Sequence, residues 1–345
     1  MRRMRDFVAV DRFRLCGALA AAAILSALSP VGVGSQGAKL PQAPLQKSQI
    51  ALPKDITLPI MVPFSLWNGL AVVEGSVAGT SGERFLLATG TNACTLSPAA
   101  WERTRLTAEP ETVRVDLFDS ALVATEAQTT SVQLNLLKLD KVRFAKLDAC
   151  GAISRSNPPD APQVWLGTPF FLAFQVTFDF STRNILLNAP QAPLPKIPGT
   201  VVVPLTLRDG RLWVKASVPG AKPFTALVDT GTNGTLIPGE LAAKLPGQPL
   251  RTFTLTLPNG KEAKAGLVTL PKLSVGRAEV ENVRAVFLAA DAPAEFDRSL
   301  AILGMDFLSH FKVTLNYARK QLALAPLSPE AALSADDAAA AEAAP

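Results

Sequence analysis

Ala226-Leu227-Val228-Asp229-Thr230-Gly231-Thr232 is an apolar run that ends on a carboxylate and continues into a hydroxyl-glycine-hydroxyl turn. Moved back by 141 positions, the pattern returns as Phe85-Leu86-Leu87-Ala88-Thr89-Gly90-Thr91, with Ala88 where Asp229 stands. The match runs without a gap from residues 62–92 onto 203–233, with 13 identities in 31 positions. A second block matches at an offset of 137. It sets Trp165-Leu166-Gly167 on Ile302-Leu303-Gly304 and repeats Phe170, Phe174, Val176, Thr177 and Leu187 downstream. Self-similarity of this extent marks two copies of one structural unit.

The pattern inside each unit is β. Val203, Leu205 and Leu207 alternate, Asp209-Gly210 follows, and Leu212, Val214, Ala216 and Val218 alternate again, which predicts a hairpin with a two-residue turn. The first unit repeats it with Asn68-Gly69 at the turn. Short helices are expected near Pro238 and after Ser97-Pro98, with Ser97 as N-cap and proline in the first turn. A further turn at Pro258-Asn259-Gly260 separates two more strands.

The chain of 345 residues is about 2.3 times the rough 150-residue domain prior, so two units fit its length. Residues 1–35 read as an export signal: an Arg-rich start leads into the apolar run Leu15–Leu28, too short for an ordinary bilayer span. The signal is either cleaved, near Ser35 or Ala38, or kept as an anchor, and it is the only contact with a membrane that the sequence suggests. Export is expected, with the periplasm as the compartment. Residues 36–55 form a Pro- and Gln-rich linker, 56–190 the first unit, 191–199 a second linker, 200–325 the second unit and 326–345 an Ala-rich acidic tail without a packable face.

Composition narrows the chemistry. One histidine excludes multi-imidazole metal centres, and three cysteines exclude zinc or iron–sulfur sites built from several thiolates. No metal or cofactor is expected. Of the net charge of +5, three units lie in the first 15 residues, and the remaining +2 is no footprint for nucleic acid.

The two units resemble retropepsin-like aspartic proteases. The resemblance rests on the Asp229-Thr230-Gly231-Thr232 turn, the hairpin before it and the apolar-apolar-Gly of Ile302-Leu303-Gly304, with Trp165-Leu166-Gly167 in the first unit. Asp-Thr-Gly alone is weak, since a given tripeptide occurs by chance in roughly one chain in twenty of this length. The resemblance implies an all-β fold of two tandem acid-protease β-barrel lobes with short helices, meeting at a two-fold axis. It implies a catalytic Asp229, loop support from Thr230, Gly231, Thr232, Thr89, Gly90 and Thr91, and a flap tipped by Asn259 and Gly260. An extended polypeptide is the implied partner. The first unit's own flap tip falls near Asp119-Ser120, without the glycine.

The family's mechanism needs two carboxylates sharing one proton, one acting as base on water and the other as acid on the carbonyl oxygen. Ala88 is the degenerate catalytic position, so lobes pairing within one chain offer a single Asp. Three readings stay open. The first is an endopeptidase whose second carboxylate comes from a homodimer partner or another acid. The second is an inactive relative that binds extended peptides as an adaptor or regulator, and the third is a structural β-module.

Cys94 and Cys150, both in the first unit, are a candidate disulfide in an oxidising compartment, with two buried thiols as the alternative. His310 reads as a solvent-facing or capping residue, and Asp306 as a turn or helix cap rather than a second acid. The tryptophans at 67, 101, 165 and 213 read as core packing, with substrate stacking as the alternative.

Overall fold

The hairpin expected at Asp209-Gly210 forms between Thr206–Arg208 and Arg211–Ala216. Both turn residues have positive φ, 49° and 77°, as a turn that follows strand twist requires, and Asn68 and Gly69 repeat it at 48° and 76°. The computed structural model describes residues 49–53, 56–117, 121–147, 161–245, 249–256, 262–292 and 297–327. The segment expected as an export signal, residues beyond Leu327 and the expected flap tip Asn259-Gly260 lie outside the described residues.

Among the described residues the strands form three sheets. A ten-stranded sheet is built from the first unit and an eight-stranded sheet from the second, and a six-stranded sheet takes strands from both. In that shared sheet Gln175–Asp179 runs antiparallel to Phe311–Asn316, with Thr177 opposite Thr314 and their hydroxyls 2.8 Å apart in a buried pair. These two residues are the same position of the repeat, so an approximate two-fold axis passes between them. Ile60–Pro63 and Val201–Pro204 are the equivalent edge strands. The fold is mainly β, with two lobes of curled sheet and a few helices of one or two turns.

Short helices start where expected. Ser97 caps Pro98–Thr104 by accepting the Ala100 N–H at 3.1 Å, with the proline in the first turn. Gly239–Ala242 follows Pro238 without a side-chain cap.

The end of the expected 36–55 linker is part of the first lobe. Ala51 exchanges two backbone hydrogen bonds with Asp140, both 2.9 Å, and Ile50 and Leu52 pack against the core. Their apolar side chains gain more from that burial than a solvated linker would.

Candidate active site

Each unit lays the strand before its turn parallel to its apolar-apolar-Gly segment. Leu227 and Val228 pair with Ile302 and Leu303, and Leu86 and Leu87 pair with Trp165 and Leu166. The next residue continues the register in both lobes. Asp229 N–H donates to the Leu303 carbonyl at 3.1 Å, and Ala88 N–H to the Leu166 carbonyl at 3.0 Å. The glycines that close these segments allow backbone to pass: a Cβ at Gly304 would lie 2.3 Å from the Gly234 carbonyl oxygen, and one at Gly167 2.1 Å from that of Ala93.

The two turns meet across the approximate axis. Thr89 Oγ1 donates to the Val228 carbonyl at 2.7 Å and accepts the Thr230 N–H at 3.0 Å. Thr230 Oγ1 donates to the Leu87 carbonyl at 2.7 Å and accepts the Thr89 N–H at 3.2 Å. Both hydroxyls are therefore used as donor and acceptor, and each lobe satisfies backbone groups of the other in the dry centre of the molecule. The seat opposite Asp229 is filled by this chain's own Ala88.

Asp229 is 3% exposed. Its Oδ1 accepts the N–H groups of Gly231 at 2.8 Å and Gly90 at 3.1 Å, and its Oδ2 accepts the Thr232 hydroxyl at 2.6 Å. Burial pushes the carboxyl above its ordinary range, opposed by these three donors and by the positive charge of Arg211. The first lobe lacks the counterpart: Thr91 Oγ1, equivalent to Thr232, donates to the Ala93 carbonyl at 3.3 Å instead.

A second polar group lies between the lobes. Arg211 opens the strand Arg211–Ala216, stands 5.8 Å from the centre of the Trp213 ring and donates Nη1 to the Leu117 carbonyl. Leu117 follows Ala108–Asp116, which pairs with Ala121–Ala127 in the hairpin that the repeat equates with the expected flap, and the turn at Asp119-Ser120 lies outside the described residues. On that hairpin Asp116 is held by Arg114 at 2.7 Å and by the Asn92 side chain, which donates to its Oδ2 at 2.9 Å and accepts its N–H at 2.8 Å. Burial lowers the pKa of Arg211, against the pull of Asp116, Asp209 and Asp229. Sequence reading passed over this group, although the repeat held a signal: Arg211 and Trp213 fall on Leu70 and Val72 of the first unit.

The remaining candidates are structural in their surroundings. Cys94 is a free, fully buried thiol whose pKa burial pushes up to about 12, and Cys150 lies outside the described residues. Asp306 accepts the Thr235 hydroxyl at 2.6 Å and the Thr235 N–H at 2.9 Å, bracing the strand beyond the Asp229 turn rather than capping its own helix. Burial pushes its carboxyl up to about 7. His310 is exposed after that helix. Trp67, Trp101 and Trp165 are buried in the core, whereas Trp213 is only half-buried beside Arg211.

The family model described as gag-polyprotein putative aspartyl protease matches residues 214–310. The crystal structure of Basic 7S globulin from soybean is similar at 11% identity, covering 77% of this chain and 94% of that one, with a TM-score of 0.47. A search of curated proteins finds no match. The second lobe resembles a retropepsin-like aspartyl protease domain, and the first lobe repeats that lobe with Ala88 in place of the carboxylate.

Proposed function

We propose that the chain is an exported protein that binds extended polypeptide between its lobes, over Asp229, and does not run the shared-proton hydrolysis of the family it resembles. Ala88 carries this reading. Two carboxylates a hydrogen bond apart divide the acid and base roles because they cannot both ionise readily. Here the opposite seat holds a methyl group, and the Gly90 N–H beside it donates to Asp229 instead. A second copy could supply a carboxylate only by displacing the first lobe. That exchange would open the four Thr89–Thr230 turn bonds and the strand pairing through Thr177 and Thr314.

A second reading is hydrolysis by Asp229 alone. In its favour, the turn keeps its full set of donors, and burial raises the carboxyl's pKa, which favours the protonated form that a general acid needs. One experiment separates the two. The purified protein and its Asp229→Ala variant are incubated with carboxymethylated casein at acid and neutral pH, and binding of casein-derived peptides is measured by fluorescence anisotropy. Peptide binding with cleavage no faster than in the variant is the expected result. Cleavage that the substitution abolishes establishes the second reading, and absence of both binding and cleavage removes both.

A further inference from the structure

We infer that Arg211 and Trp213 form a carboxylate-binding subsite beside Asp229, so that the polypeptide taken up between the lobes presents a carboxylate at one fixed position. The inference rests on the polypeptide-binding reading above and adds what the cleft selects.

The internal repeat serves as the control. At the places of Arg211 and Trp213 the first lobe carries Leu70 and Val72, both fully buried in its core. The second lobe has exchanged two apolar side chains on one face of the strand for two N–H donors, since residues two apart point the same way. Neither donor is used up. Arg211 Nε and Trp213 Nε1 are both buried without an acceptor among the described residues. A buried donor left unpaired costs about 1–3 kcal/mol, and more on a charged group, so two side by side are an expense the fold would shed by keeping Leu and Val.

Arg211 is 9% exposed, and among the described residues no carboxylate lies within ion-pair distance of it. Asp116 is engaged by Arg114 and Asn92, and Asp229 by Thr232, Gly231 and Gly90. The Nη1 bond to Leu117 sets the guanidinium against that hairpin of the first lobe, while its charge is felt at Asp229 on the floor. A group placed there meets a chain lying over Asp229. A carboxylate offers the acceptors that a guanidinium fork and an indole N–H lack, and such charge-assisted bonds are the strong ones. Two sources share this chemistry: an acidic side chain and a free carboxyl terminus.

The test uses fluorescein-labelled peptides of roughly ten residues, in a Val/Thr/Ala background, with one Glu walked along the chain. Each is compared with its Gln counterpart and its carboxy-amidated form, and binding to the wild-type protein is followed by anisotropy. We expect one register in which Glu binds at least about tenfold tighter than Gln, or amidation weakens binding by as much. Loss with Gln identifies the side chain, and loss on amidation identifies the terminus. Arg211→Leu should bring the ratio to about one, and Trp213→Phe should reduce it. If Arg211→Leu does not fold, the peptide comparison on the wild-type protein decides alone. Equal binding of Glu, Gln and amidated peptides overturns this inference and leaves the proposed function standing. Failure to bind any peptide removes the proposed function, and this inference with it.

Discussion

Gly90 in the first lobe donates its backbone N–H to Asp229 in the second, at 3.1 Å, across the approximate two-fold axis. Its equivalent, Gly231, donates to Asp229 within its own turn at 2.8 Å. With a methyl group at position 88, the Gly90 N–H reaches across to Asp229, which collects donors from both lobes.

Restoring the second acid should create an enzyme. In Ala88→Asp the new carboxylate would find the Gly90 N–H and the Thr91 hydroxyl in the places that Gly231 and Thr232 occupy around Asp229. Casein cleavage at least about a hundredfold above wild type is expected, the scale of positioned acid–base catalysis. It should peak at acid pH, where the pair holds one shared proton, and vanish in the Ala88→Asp/Asp229→Asn double variant. A double variant as active as Ala88→Asp would show that the pair is not the source.

The threonine lock should be worth several side-chain contacts. Thr89→Val or Thr230→Val removes a buried hydroxyl that serves a carbonyl and an N–H of the other lobe, leaving both unpaired. A loss of about 2–4 kcal/mol in urea unfolding is expected for either, with the double variant losing less than the sum because the two hydroxyls lie 3.5 Å apart in one network. Thr→Ser at either site keeps the hydroxyl and should lose much less.

Stability should fall between about pH 4 and pH 7. Asp306 ionises near its ordinary value of 3.8 when unfolded and only at about 7 when folded. The folded state therefore favours the protonated form. Its contribution is full below the unfolded pKa, declines as pH rises toward the folded one and is constant above, on the order of a few kcal/mol. Asp229, also raised, acts in the same direction. Asp306→Asn, whose amide can still serve Thr235, should flatten part of this slope in urea midpoints measured across the window.

Cys94 should resist chemistry until the fold opens. Its thiol is fully buried, and a pKa pushed up to about 12 leaves almost no thiolate at neutral pH. Iodoacetamide without reductant should label Cys94 in urea and spare it in buffer. Failure to label in urea would reveal a bridge to Cys150.

Several elements were legible because their causes are local. Asn68-Gly69 and Asp209-Gly210 are positive-φ turns for residues that tolerate it, and Ser97-Pro98 opens a helix by capping its first turn. Ala51 reads as linker because a few apolar residues among prolines carry no period, and what holds them, the Asp140 backbone for Ala51 and the core for Ile50 and Leu52, lies far along the chain.

The sequence by itself determined that the chain is one β-lobe written twice, with Asp229 in one copy and Ala88 in the other, because repetition and the identity of a side chain need no third dimension. The tertiary structure decided that the two copies pair within one chain, that Gly90 serves the surviving carboxylate, and that Arg211 Nε and Trp213 Nε1 are buried without an acceptor among the described residues. Those facts depend on backbone groups and side chains up to 143 positions apart meeting at an axis, and no local pattern specifies which groups an interface leaves unsatisfied.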